Sequence, residues 1–137
     1  PCSIRPTEIC MALMEDAAQP GMTEDDVWAV MHAENIRRGG EWIECRLLST
    51  GPRTNPWFQE CGPRVIGNGE ICAYDTDLVG PYGICTDLSR TFWIGDGGPT
   101  DEMKRLYTFA RDHIVFAGGL ALTSAPIRPR RRAAMAA

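Results

Sequence analysis

Three aspartates carry the chemistry open to this chain. Asp75 and Asp77 lie in Ala73-Tyr74-Asp75-Thr76-Asp77, and Asp87 opens Asp87-Leu88-Ser89-Arg90-Thr91-Phe92. They sit on two apolar runs separated by Gly80-Pro81-Tyr82-Gly83, a pattern that predicts a β-hairpin. Side chains alternate with period two along a strand, so Asp75 and Asp77 share a face. Asp87 falls opposite Asp77 if the connecting loop has an odd number of residues. A loop of Pro81-Tyr82-Gly83 meets that condition, with Pro at the first turn position and Gly at the left-handed position that closes it. Like charges directly across a strand pair are destabilising. Three carboxylates gathered on one patch therefore need a cation, and a divalent metal fits them best.

Blander and rival readings are weaker. An EF-hand loop would use Asp75, Asp77 and Gly80, but it requires a bidentate Glu where this chain has Thr86. A lone D-x-D pair of the nucleotide-sugar transferase kind is a weak signal with no sugar-nucleotide site beside it. Three solvated turn residues would not be flanked by Leu78, Val79, Ile84 and Leu88.

The elements that must position the aspartates read as an α+β order. Pro6 suits the first turn of a helix over about 6–18, in which Ile9, Leu13 and Ala17 recur at helical spacing before Pro20-Gly21 stops it. Thr23 caps a second helix whose first turn holds Glu24, Asp25 and Asp26, and Arg37-Arg38-Gly39-Gly40 ends it. Strands are expected near Trp42–Ser49, Ile71–Val79 and Ile84–Ile94, with a Gly- and Pro-rich loop over 50–64. Thr100 caps a third helix, to Leu122, with Met103, Leu106, Ala110, Ile114 and Ala117 as its apolar stripe. Residues 1–122 form one domain portion on this reading. Residues 123–137, rich in Arg, Ala and Pro, form a tail without periodicity that reads as disordered or non-native.

A chain of 137 residues, 44% hydrophobic and 23% charged, has the composition of one modest soluble domain. No transmembrane run or signal pattern is present, so no membrane partner is expected. The formal charge is −4, and setting aside Arg128, Arg130, Arg131 and Arg132 leaves −8 for the remainder. An acidic body of this kind suits cations or zwitterions rather than nucleic acid. Six cysteines without C-x-x-C or zinc-like spacing read as reduced thiols in a cytoplasmic protein. The opening Pro1, without an initiator Met, and the aperiodic tail make the chain read as a piece of a longer protein.

The hairpin segment resembles the metal hairpin of the pita-bread metallopeptidase superfamily, which includes methionine aminopeptidase, prolidase, aminopeptidase P and creatinase. The resemblance covers about residues 1–117 and includes Ser49-Thr50-Gly51-Pro52-Arg53-Thr54-Asn55-Pro56. Two departures stand out. The residue eleven before Asp87, where the peptidases place their first metal ligand, is Thr76. Their substrate-contacting His after Pro is replaced in Asn55-Pro56-Trp57-Phe58.

Both departures resemble the dimethylsulfoniopropionate (DMSP) lyase branch, whose hairpin carries an Asp-x-Asp and then a third Asp. The runs Met31-His32-Ala33-Glu34-Asn35-Ile36-Arg37-Arg38-Gly39-Gly40-Glu41-Trp42 and Gly51-Pro52-Arg53-Thr54-Asn55-Pro56-Trp57-Phe58-Gln59-Glu60-Cys61-Gly62-Pro63 are similar to the same branch. The resemblance implies a metal-dependent lyase cleaving DMSP to dimethyl sulfide and acrylate by β-elimination. It implies Asp75, Asp77 and Asp87 as metal ligands, iron as the metal, one or two ions, and a cytoplasmic homodimer. One further His, two Glu and the catalytic base are expected beyond this chain, which alone would be inactive. Trp57 is a candidate for receiving the sulfonium by cation–π attraction. Arg90 reads as a partner for acidic neighbours, and His32 and His113 as packed or partly exposed residues. The alternatives are an Xaa-Pro peptidase or creatinase-like hydrolase, and a non-catalytic pita-bread binding domain.

Overall fold

A computed structural model describes residues 4–118, and the chain divides into two compact units, 1–99 and 100–137. The first begins with two helices, α1 (Ile4–Ala17) and α2 (Glu24–Arg37). The start of α2 is fixed by the expected cap. The Thr23 hydroxyl accepts from the Asp26 amide, and the Asp26 carboxylate accepts from the Thr23 amide. That reciprocal pair satisfies two of the otherwise unbonded N–H groups at a helix start. Gly39, at φ 78°, turns the chain out of α2.

Four strands follow: β1 (Trp42–Ile43), β2 (Leu48–Thr50), β3 (Glu70–Val79) and β4 (Cys85–Ile94). All pairings are antiparallel, with β1 and β2 along one side of β3 and β4 along the other. Among the described residues β4 pairs with β3 alone. The run expected as one strand over 42–49 is therefore two short strands. Ile43 faces Leu78 and Leu48 faces Tyr74, so four residues (44–47) span what three (75–77) span on β3. One extra residue in one strand is a β-bulge, and it leaves no mark in hydrophobic periodicity.

The sheet has two different faces. Cys72, Tyr74, Thr76 and Leu78 of β3 are buried, with Leu48 and Thr50 of β2 on the same side. They pack with Cys10, Met11 and Met14 of α1 and Val27, Trp28 and Met31 of α2 in one core. The opposite face of β3 bears Asp75 and Asp77, both half-buried.

The phase of α1 differs from expectation. Its buried stripe is Thr7, Cys10, Met11 and Met14, while Ile9 and Leu13 are each 37% exposed. Sulfur-containing side chains fill this core where the branched ones were expected to, because Met and Cys adapt to irregular gaps.

The second unit is described through α3 (Asp101–Gly118). Thr100 caps it as expected, accepting from the Met103 amide at 3.2 Å. Leu106, Phe109, Ile114 and Phe116 of α3 are exposed. The tail expected at 123–137 lies outside the described residues.

Candidate metal-binding hairpin

The hairpin closes as its residue types dictate. The Gly80 amide donates to the Ile84 carbonyl at 3.0 Å, leaving Pro81, Tyr82 and Gly83 as the loop. Gly83 takes the left-handed conformation at φ 69°, and Tyr82 joins it at φ 65°, fully exposed at the tip. The odd loop fixes the register along the whole ribbon: Asp77 pairs with Asp87, and Asp75 with Ser89. Directly paired residues point to one side of a sheet, so all three carboxylates occupy the face away from the helices.

Their proximity has an electrostatic signature. The carboxyl of Asp87 is pushed above the usual carboxylate range, first by the charge of Asp75, then by burial, by the charge of Asp77 and by a hydrogen bond with Asp75. Repulsion between like charges disfavours ionisation of the last member of such a group. Asp75 also accepts from the Thr76 amide at 3.0 Å. Asp77 accepts at Oδ2 from the thiol of Cys45, 3.1 Å away.

Cys45 was not legible as part of this group, because the bulge over 44–47 brings it there. Its thiol is pushed up to about 11, by burial first and then by the hydrogen bond and charge of Asp77. Ser49 also belongs to this face, since it pairs with Ala73, two positions from Asp75. It is fully buried, and its hydroxyl has no partner among the described residues.

These features fit a cation in donor chemistry: three oxygen-bearing anions on one face, one of them resisting ionisation, and a buried unpartnered hydroxyl beside them. Among the described residues, no three His, Cys, Asp or Glu side chains are arranged to hold an ion as they stand. Asp77 Oδ2 is engaged by the Cys45 thiol.

A second construction lies in the loop that follows β2. Glu24, read from sequence only as a favourable charge at the helix start, is fully buried. It accepts from the amide and the hydroxyl of Thr50, each at 2.8 Å, and from the Arg53 guanidinium. Arg53 also donates to the Glu60 carbonyl at 2.8 Å, tying the two ends of the 53–60 loop together. Arg64 donates to Thr50 and forms a two-pronged pair with Glu70. The Glu70 carboxyl is thereby held below its usual range, chiefly by the hydrogen bond from Arg64.

The loop so fastened presents Trp57 and Phe58 edge to face, ring centres 5.9 Å apart, both exposed. Phe58 is held at φ 70°, a rare conformation for a bulky residue. Neither ring belongs to the core.

Arg90 lies elsewhere. It pairs with Tyr74 and so points to the side opposite the aspartates, donating to the Ser89 carbonyl at 2.7 Å. His32 is half-buried and His113 exposed. Cys10, Cys45, Cys61, Cys72 and Cys85 are free thiols among the described residues. No helix among the described residues is long and apolar enough to cross a membrane.

The model of metallopeptidase family M24 matches residues 3–117. The chain is 56% identical over 119 residues to the dimethylsulfoniopropionate lyase DddP of Roseovarius nubinhibens, covering 83% of this chain and 27% of that protein. Against the protein of the same name from Roseobacter denitrificans it is 54% identical over 118 residues, covering 82% and 26%. It thus spans about a quarter of the length of the curated relatives it matches.

Among solved structures, the prolidase of Pyrococcus horikoshii superposes with a TM-score of 0.76 at 16% identity, over 84% of this chain and 33% of that one. The X-Pro aminopeptidase of Thermotoga maritima gives 0.74 at 20%, over 81% and 31%. At these identities the likeness shows the fold: an α+β, pita-bread arrangement.

Proposed function

Because the chain belongs to metallopeptidase family M24, we propose that its carboxylate face is the N-terminal share of a metal centre, in a protein that cleaves dimethylsulfoniopropionate. The observation carrying this reading is the hairpin register, which pairs Asp77 with Asp87 and sets Asp75 beside them on one face. The substrate comes from the name of the relatives, at 54–56% identity.

Asp75, Asp77 and Asp87 would hold the ion, with iron as the metal and a second ion admissible in the complete site. A divalent ion supplies Lewis-acid polarisation of a substrate carboxylate when bound. The chain's own contributions are three negative charges on a rigid ribbon and an exposed aromatic edge on the fastened loop. Trp57 would receive the dimethylsulfonium end on its ring face. No water has to be activated in a β-elimination, so Trp57 can stand where a peptidase keeps its His. The catalytic base lies outside this chain. The homodimer and the cytoplasmic location are further parts of the proposal, the latter supported by five free thiols among the described residues.

The test is a product assay on a protein of the relatives' length that carries this segment. Incubation with DMSP should release dimethyl sulfide, and Asp77→Asn should abolish the release. Cleavage of Xaa-Pro dipeptides without any release of dimethyl sulfide would overturn the proposal in favour of a hydrolase.

A further inference from the structure

The bulge between β1 and β2 has a chemical product. In a regular strand Glu44, whose amide donates to the Asp77 carbonyl at 3.1 Å, would be followed by Cys45 opposite Thr76, on the helix-covered face. The extra residue breaks the alternation. The Cys45 thiol instead reaches Asp77 Oδ2 at 3.1 Å.

We propose that Cys45 is a positioning residue for the metal centre, its thiol fixing Oδ2 of Asp77 so that Oδ1 is presented to the ion. The inference rests on the metal reading above and adds to it a residue that the family's ligand pattern does not contain. A ligating carboxylate works best when its other oxygen is held by a hydrogen bond. The donor should be neutral here, since a Lys or Arg in its place would cancel charge that the cation needs.

A second observation points to the same ion. Ser49, two residues beyond Leu47 on the same face, is fully buried with an unpartnered hydroxyl. Buried hydroxyls are almost always hydrogen-bonded. By strand geometry it lies roughly 7 Å diagonally from Asp75. A donor so placed suits an oxygen ligand carried by the ion rather than a protein group.

The experiment measures Mn(II) affinity, by electron paramagnetic resonance of the free ion, of a protein of the relatives' length that carries this segment. It compares the unsubstituted protein with Cys45→Ala and Cys45→Ser, circular dichroism confirming equal folding. Cys45→Ala should weaken binding about 10- to 100-fold, the usual effect of losing a hydrogen bond behind a ligand. Cys45→Ser, which keeps a donor, should bind within a few fold of the original.

The Co(II)-loaded protein should show no thiolate-to-cobalt charge-transfer band, because the sulfur bonds the carboxylate and not the ion. Such a band, if absent from the Cys45→Ser variant, would overturn the positioning role and make Cys45 a ligand. Unchanged affinity in Cys45→Ala, or equal losses in Ala and Ser, would also overturn it while the metal reading stood. If the unsubstituted protein of that length bound no Mn(II), the metal reading itself would fall and this inference with it.

Discussion

Replacing Asp87 by Asn should have opposite effects on stability and on metal binding. In the metal-free chain Asp87 lies directly opposite Asp77 and beside Asp75, and both charges resist its ionisation. Removing one charge from a cross-strand like-charge pair relieves about 0.2–1 kcal/mol. Asp87 is exposed, so solvent screening places the gain in the lower half of that range. For a chain of this size a gain of that order raises Tm by about 1–3 °C. With Mn(II) at neutral pH the order should invert, the parent chain gaining stability and Asp87→Asn gaining none. The assay is thermal unfolding followed by circular dichroism in chelator and in Mn(II). High salt should shrink the metal-free advantage by screening. A metal-free Asp87→Asn chain less stable than the parent would refute the repulsion argument. An undiminished response to Mn(II) in that variant would refute its part in the site.

Four other outcomes are expected. Met14→Ala, at a fully buried position of α1, should cost about 2–5 kcal/mol in urea unfolding. Ile9→Ala and Leu13→Ala, at the 37% exposed positions, should each cost far less. Arg53→Ala leaves the fully buried Glu24 without its ion partner and should destabilise by about 3–5 kcal/mol, with Glu24→Gln recovering part of the loss in the double variant. Glu70 is held below its usual range, so its contribution is present above the unfolded value of 4.5 and lost as pH falls through the folded one. Asp87, raised from 3.8, contributes in the opposite sense and loses its contribution as pH rises through its folded value. Acid titration of Glu70→Gln should therefore show a flatter loss of stability below about pH 4.5 than the parent. In a thiol-labelling time course at neutral pH, exposed Cys85 should react before the other cysteines among the described residues. Cys61, buried and pushed up to about 12, should react only on unfolding.

What could be read from the sequence was local. The hairpin followed from two apolar runs and the turn chemistry of Pro81 and Gly83, and parity then put Asp75, Asp77 and Asp87 on one face. The Thr23 and Thr100 caps were visible for the same reason: each acts within three residues of itself. What escaped depended on distant partners. The buried face of α1 differs from expectation because Ile9 and Leu13 carry more hydrocarbon than Cys10, whereas adaptable Met and Cys side chains suit the irregular gap against the sheet. Glu24 looked like an ordinary first-turn acid until Thr50 and Arg53, far along the chain, supplied its donors. Cys45 depended on a one-residue insertion that only pairing reveals. Strand parity alone puts Arg90, opposite Tyr74, on the side away from the aspartates.

Among the described residues, the outer side of β4 offers a row of main-chain amides and carbonyls along ten residues with no strand beside it. Such a border accepts any extended segment, because backbone groups recognise one another without regard to side chains. Handled by itself at high concentration, this polypeptide should therefore tend to associate ribbon to ribbon. Its carboxylates would then serve a second purpose, since stacking copies in register would bring each Asp87 near another and charge would oppose the contact.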